Sequence, residues 1–437
     1  MNIRILYSLL LLGTLPLSAQ QLLTKQEAVT VALENNYGIK ISTNNLKIAE
    51  NNKDILNSGF LPTVTGNAGA TYSIDDNTSE RSDGTITTLN GAESNRFNAT
   101  VSLNYVLFDG LGRHYNYQQL KEQYNLSELQ ARETIENTLL QLFSVYYNVA
   151  RLTEDVSVLR QSLKISKDRL ERVQYQFDYG QNTKLAVLNA EVDVNNDSIN
   201  LINSQQFLTN AKRDLYVVLG KSDAPTFSVD TLVTFTLKPT REALYEQVKA
   251  NNVTLLQLEK NIVISDFQVK ANKSGYLPTV GLNGTYGWNK NNNNGSAFVQ
   301  SSTNTGLSGG INLSWDLFDG GRTKTQVQNA KINYETQLLQ QQQVEIEINR
   351  DFNNAWEDYQ NKLFVLHTQE KNVQTNTDNF NRTEERFKLG QVSSIEFRQA
   401  QLNLVNAVNS KNTAKYDAKL AELQLFQLSG ELLYADY

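Results

Sequence analysis

A chain that writes its own plan twice has to fold as two like halves. SGFLPTV at Ser58–Val64 returns as SGYLPTV at Ser274–Val280, 216 residues on. VSLNYVLFDGLGR at Val101–Arg113 returns as INLSWDLFDGGR at Ile311–Arg322, with Phe108 and Phe318 separated by 210 residues. FDYGQ at Phe177–Gln181 returns as FKLGQ at Phe387–Gln391 with the same 210 spacing. Leu23–Ser58 is matched more weakly by Pro239–Ser274. Because the spacing falls by six between SGxLP and LFDG, the intervening loop is shorter in the second half. Solenoid repeats recur every ~20–50 residues, so each half here is one structural unit rather than a row of small ones.

Five prolines punctuate this plan: Pro16, Pro62, Pro225, Pro239 and Pro278. Proline inside a helix removes a hydrogen bond and clashes with the preceding turn. Their confinement to turns and junctions leaves room for very long helices. Residues 1–19 read as a secretory signal, with Arg4, an apolar run and a Leu17-Ser18-Ala19 cleavage site. The expected segmentation is a first repeat at 20–220, a junction at 221–239 and a second repeat at 240–437. Strand hairpins are expected at 61–108 and 277–318. Alternation of Val233, Phe235 and Leu237 with Thr234 and Thr236 predicts a small strand in the junction.

Thr63–Ile74, Phe97–Leu107, Val280–Asn289 and Leu307–Leu317 each alternate apolar and small polar residues. One face of the set carries Tyr72, Phe97, Tyr105, Tyr286, Trp288 and Trp315. Period two over about ten residues, with aromatics on the apolar side, suits a strand crossing a bilayer. An ordinary sheet with one buried face has the same period. Against that reading, no apolar helix stripe is free to cover the sheet, and 75–95 and 291–305 have the Asn, Ser, Thr and Gly of exposed loops. Four strands cannot close a barrel, and an open edge in hydrocarbon strands unpaired N–H and C=O groups. Sister copies must then complete the wall. Three would give twelve strands, although the argument does not fix that number.

After Arg113 there is neither glycine nor proline up to Phe177. Ile135, Leu142, Val149, Val156, Leu163, Leu170 and Phe177 recur every seven residues, and Phe352, Tyr359, Leu366, Val373, Phe380 and Phe387 repeat the register. That period marks helices supercoiling side by side. Shorter helices are expected over Thr24–Asn57, Thr240–Lys273, Thr183–Leu219 and Ser393–Leu428. Chain reversals fall at Tyr179-Gly180 and Leu389-Gly390.

A net charge of −6 supplies no basic footprint for nucleic acid. The absence of cysteine rules out disulfides and thiolate metal sites, and the two histidines lie in separate halves. No zincin, nucleophile-elbow, Walker or dinucleotide motif is present. The expectation is a protein that is not an enzyme, with no cofactor and no metal.

The duplicated order of helix, SGxLP, strand pair, LFDGG-R, long helix, F-x-x-G turn and returning helix resembles the outer membrane efflux protein family, the TolC-like outer membrane factors. The resemblance covers nearly the whole chain after residue 19. It implies a homotrimer in which each duplicated protomer gives four strands to a 12-strand outer-membrane β-barrel, continued by a long α-helical coiled-coil barrel in the periplasm. It implies a passive exit duct for a tripartite efflux pump or type I secretion system. Its partners would be a periplasmic adaptor (membrane fusion) protein, an inner-membrane transporter of RND, ABC or MFS type, and outer-membrane lipid. Adaptor docking is implied at the helix-turn tips, Gly180, Gln181, Gly390 and Gln391.

The resemblance also places the periplasmic pore aperture in RFKLGQVSSIEFRQAQ. Glu396 falls where the family has a ring Asp, and Gln399 replaces the second. Phe387 stands for the latching Tyr and Val392 for the latching Arg. Ala186 is the first-half counterpart of Glu396, and Arg386 and Arg398 are the cations left nearby. Ser393-Ser394-Ile395-Glu396 is equally a capping box, and a carboxylate can serve both purposes. Two other readings stay open on the residues alone: a coiled-coil structural or tethering protein without a pore, and an uptake porin.

Overall fold

The computed structural model describes residues 21–222, 227–295 and 297–435; the signal segment expected at 1–19 lies outside them. In chain order the elements are β1 (Gln21–Leu23), α1 (Lys25–Asn35), α2 (Tyr37–Asn52), β2 (Thr63–Glu80), β3 (Ile86–Phe108), α3 (Gly112–Asp178) and α4 (Lys184–Val218). They continue with β4 (Phe227–Val229), α5 (Arg241–Asn251), α6 (Val253–Lys273), β5 (Thr279–Asn292), β6 (Ser301–Ser314), α7 (Arg322–Lys388) and α8 (Ser394–Leu428). The duplication is visible in the lengths. Both α3 and α7 have 67 residues, and both α4 and α8 have 35. At ~1.5 Å per residue, each long helix runs roughly 100 Å.

Helix ends repeat as well. Gly180 and Gly390 share a φ of +74°, which only glycine adopts without strain. Gln181 N–H donates to Gln176 O at 2.7 Å and Gln391 N–H to Arg386 O at 2.8 Å, closing each long helix in the same way. Asp109 and Asp319 open the long helices. Asp109 Oδ2 accepts from Arg113 N at 3.0 Å, and Asp319 Oδ2 from Thr323 N at 2.8 Å. The LFDG carboxylates therefore cap helices.

The helix expected over Thr24–Asn57 is two helices, broken at Asn36, and the one over Thr240–Lys273 breaks at Asn252. Asn36 Oδ1 accepts from Gly38 N at 2.8 Å while its amide donates to Val218 O at 2.8 Å. Asn252 does the same with Thr254 N at 3.1 Å and Leu428 O at 2.9 Å. An asparagine that caps one helix and ties it to the end of another outweighs a continuous apolar pattern.

The junction strand is Phe227–Val229, parallel to β1, rather than Val233–Leu237. The backbone at 234–237 is satisfied by buried side chains of α8 instead. Glu422 Oε1 accepts from Thr236 N and Leu237 N at 2.7 Å each, and Lys419 Nζ donates to Thr234 O at 2.9 Å. Lys419 and Glu422 are themselves paired at 2.6 Å with no exposed side-chain surface.

The chain divides into two compact units. One holds the described residues up to Asn44, Leu129–Leu256 and those from Gln343 onward; the other holds Asn45–Glu128 and Gln257–Gln342. The first is built on helix packing. Leu142 and Val149 of α3 meet Ala28 and Ala32 of α1 and Leu215 of α4 in one apolar cluster. Their repeat counterparts Phe352, Tyr359, Leu244, Val248 and Leu425 form a second. The second unit carries an antiparallel sheet in the order β2-β3-β5-β6.

Candidate functional site: the open sheet and the helical tips

In the sheet unit, the register lines up the alternating residues across all four strands. Val64 pairs with Leu103, Leu103 with Gly284 and Gly284 with Gly309. Next come Gly66, Val101, Tyr286 and Leu307, then Ala68, Ala99, Trp288 and Thr305. Directly paired residues share a face. The apolar sets of all four strands therefore fall on one side, and Thr65, Ser102, Thr285 and Ser308 fall on the other. Both sides are open: every residue of β6 is exposed, with Leu307 at 81% and Ile311 at 71%. Tyr72, Phe97, Tyr286 and Trp288 stand exposed and Tyr105 half-buried. Trp315 lies just past the end of β6, its indole donating to Tyr276 O at 3.2 Å.

Two of these elements differ from expectation. β2 and β3 continue pairing through residues expected as loop, with Asn77 opposite Leu89 and Glu80 opposite Ile86. Threonines at 78, 87 and 88 favour strand, and Asp76 accepts Gly91 N at 2.7 Å across a bulge. At the other edge β6 stops at Ser314, three residues short of the expected Leu317.

In the helical unit, the tips are closed by a small apolar core. Phe387 packs on Phe397, with ring centroids 4.7 Å apart, and Val173, Val187, Phe380 and Ala400 complete the cluster, with Val392 packed against it. Phe387 and Val392 are thus core residues of the tip within one protomer. Glu396 is exposed. Its carboxylate accepts from Ser393 N at 2.7 Å and from the Ser393 hydroxyl at 2.9 Å, while Ser393 Oγ accepts from Glu396 N at 3.2 Å, completing the capping box. Those Ser393 donors, backbone first, hold the Glu396 carboxyl below the usual carboxylate range, and Arg386 adds to the effect. Gln399 is exposed and bonded to Asn403 at 2.8 Å. Gly180, Gln181, Gly390 and Gln391 are exposed at the two turns.

A buried polar cluster that sequence reasoning missed lies inside the tips, between α3, α4 and α8. Arg398 of α8 grips Asp197 of α4 with two 2.7 Å bonds. Arg169 of α3 pairs with Asp193 of α4 and donates to Ser394 O at 3.3 Å. Ser166 Oγ donates to Asp197 at 2.6 Å, and Gln401 Nε2 donates to Ser162 O at 2.8 Å. Burial works to raise the Asp197 carboxyl, but Arg398, Ser166 and Arg169 outweigh it and hold it below the usual range. The only signal in the sequence is the spacing of Asp193 and Asp197, four apart on one helix face. Arg398 is therefore committed to the protomer's interior. Among the described residues no cluster of His, Asp and Glu is arranged to hold a metal ion. No described helix is long and apolar enough to cross a membrane.

Comparison with known proteins places this geometry. The family profile described as outer membrane efflux protein matches residues 28–221 and 244–431, one match per repeat. The chain is similar to outer membrane protein TolC of Vibrio cholerae, 22% identical over 312 residues and 71% of each chain. It is also similar to outer membrane efflux protein BepC of Brucella suis, 21% identical over 417 residues, 93% of this chain and 85% of that one. Among solved structures, the Campylobacter jejuni CmeC outer membrane channel superimposes with a TM-score of 0.77 at 17% identity, over 93% of this chain and 86% of the other.

Proposed function

The chain belongs to the outer membrane efflux protein family, and we propose that three copies of it close into one passive duct. The protein is an outer-membrane exit duct of efflux or type I secretion, reaching into the periplasm. The family forms channels and is not a family of enzymes. In the proposed assembly each protomer contributes β2, β3, β5 and β6 to a 12-strand barrel, and the repeats 20–220 and 240–437 each contribute a long-helix hairpin to an α-helical barrel.

One observation carries this reading: a sheet with an apolar side and a small polar side whose two outer edges, β2 and β6, are paired with no further strand among the described residues. In hydrocarbon each unpaired backbone group costs several kcal/mol, so the edges have to meet those of other copies. The polar side then lines a water-filled bore, and Tyr72, Phe97, Tyr105, Tyr286, Trp288 and Trp315 face lipid. At the periplasmic end Glu396 and Gln399 ring the aperture, backed by the packed Phe387 and Val392. Gly180, Gln181, Gly390 and Gln391 present the turns to a periplasmic adaptor, which links the duct to an inner-membrane transporter. Substrates pass without cofactor.

The test is the mass of the detergent-solubilised particle together with its conductance in a planar bilayer. A trimeric mass with stepwise conductance is expected. A compact monomer that conducts nothing would overturn the duct.

A further inference from the structure

On the polar side of the sheet, the rows that cross all four strands begin at Thr63, next to the helices, and end at Thr71, Arg96, Asn291 and Ser302, next to the hairpin loops. Every residue in those rows except Arg96 is Thr, Ser, Asn or Gly. Arg96 is exposed, and its paired neighbours Thr71 and Asn291 are neutral. Among the described residues it takes part in no ion pair. The next acidic residue along that side, Asp75, stands four residues beyond Thr71, opposite Ala92. The duplication does not copy this cation: 210 residues on, the counterpart of Arg96 in β6 is Gly306, which pairs with Gly287. The scaffold therefore does not need a charge at this position. A lone guanidinium on an otherwise small, neutral surface calls for a role outside folding.

We infer that the Arg96 side chains of three copies form a cationic collar at the outer mouth of the bore, a site for anions that carry phosphate or carboxylate groups. The inference rests on the duct proposed above, in which the polar side lines the bore, and it adds a specificity to that bore. A 12-strand wall with strands ~4.8 Å apart and tilted ~40° has a radius of roughly 12 Å. An arginine extends well into such an opening, whereas Thr, Ser, Asn and Gly stay close to the wall. Charge is screened over about 8 Å at physiological ionic strength, so the collar is felt across much of the opening. The planar guanidinium offers paired N–H donors that match the oxygens of phosphate and carboxylate. Rings of Arg or Lys favour anions in pores for the same reason. The collar is opposite in sign to Glu396, which the proposed duct carries at its far end.

The test is single-channel current through the full-length protein in a planar bilayer, with tripolyphosphate or citrate added to each chamber in turn. Either anion should block the parent channel, more strongly from one side. Arg96→Gln should raise the half-blocking concentration by roughly tenfold or more, the loss of a charge-assisted contact. It should also move the reversal potential in a salt gradient toward cation selectivity. Arg96→Lys keeps the charge and should keep most of the blockade. The native chain has no cysteine, so Arg96→Cys can be labelled at one position. That variant should lose the blockade and regain it once the thiol carries a cationic aminoethyl group. A conducting parent that ignores both anions, or equal blockade in Arg96→Gln, would overturn the collar. A monomeric parent that conducts nothing would instead overturn the duct on which it rests.

Discussion

Glu422 and Lys419 are fully buried, and they hold the junction between the repeats by its backbone. Replacing Glu422 with Leu leaves the Lys419 ammonium without its carboxylate and takes the acceptor from Thr236 N and Leu237 N. Removing one partner of a buried ion pair costs about 3–5 kcal/mol. The loss falls on the segment itself, so hydrogen exchange at 233–238 in the assembled, detergent-solubilised protein is the appropriate assay. At about 1.4 kcal/mol per factor of ten, those amides should exchange at least 100-fold faster. Glu422→Gln keeps an acceptor oxygen and should fall between. Lys419→Met/Glu422→Leu removes both charges, so it should be less damaging than Glu422→Leu alone. Unchanged exchange in Glu422→Leu, or a double variant equal to the sum of the two singles, would refute the pair as the tether of the junction.

Glu396→Gln should weaken cation blockade of single channels if the carboxylates ring the aperture; unchanged blockade would leave only the helix cap. The Glu396 carboxyl is held below the usual range, so the wild-type charge persists above that value. Blockade should therefore hold from neutral to mildly acidic solution and fade only as the pH falls through it. Gly390→Val, at a φ of +74°, forces a branched residue into the left-handed region at about 1–2 kcal/mol; adaptor recovered in pull-downs should drop, as it should for Gly180→Val. Leu307→Arg puts a charge on the apolar side of the sheet, which the proposed barrel turns to lipid, at roughly 2–4 kcal/mol and should reduce outer-membrane assembly. Ser308→Arg, on the polar side, should assemble normally and lower conductance.

Much of this structure was legible because periodicity survives any packing. The seven-residue series through Leu142, Val149 and Val156 became the buried spine of α3, and strand alternation became a two-sided sheet. What escaped depends on partners distant in sequence. Asn36 breaks a helix because its amide reaches Val218 O, 182 residues away. Thr236 leaves a strand pattern because Glu422 supplies its acceptor. In the sequence Arg398 is simply one of two cations near the aperture, yet it pairs with Asp197, 201 residues earlier. Local pattern carries no information on such pairs, whereas caps such as Thr24–Glu27 and Ser393–Glu396 are local and were visible.

The early end of β6 follows from the same duplication. β6 corresponds to β3, and Trp315 to Tyr105. Tyr105 is strand because Leu282 of β5 pairs with it, and β3 runs on to Phe108 opposite Val280. The counterparts of Leu282 and Val280 are Gly66 and Val64 of β2, an edge strand whose outer side has no strand partner among the described residues. Among the described residues no strand pairs the outer edge of β6, and the strand ends at Ser314 although the alternation continues to Leu317. In the proposed ring, the register carried over from the β3–β5 ladder would set Ser314 opposite Asn67 and Thr305 opposite Asp76 of the next copy. That seam ends where the bulge at Asp76 and the acidic overhang of β2 begin, at which point water can satisfy an open edge and no partner is needed. In that ring, pairing with a neighbouring copy would let the alternation at Trp315–Leu317 extend β6 past Ser314.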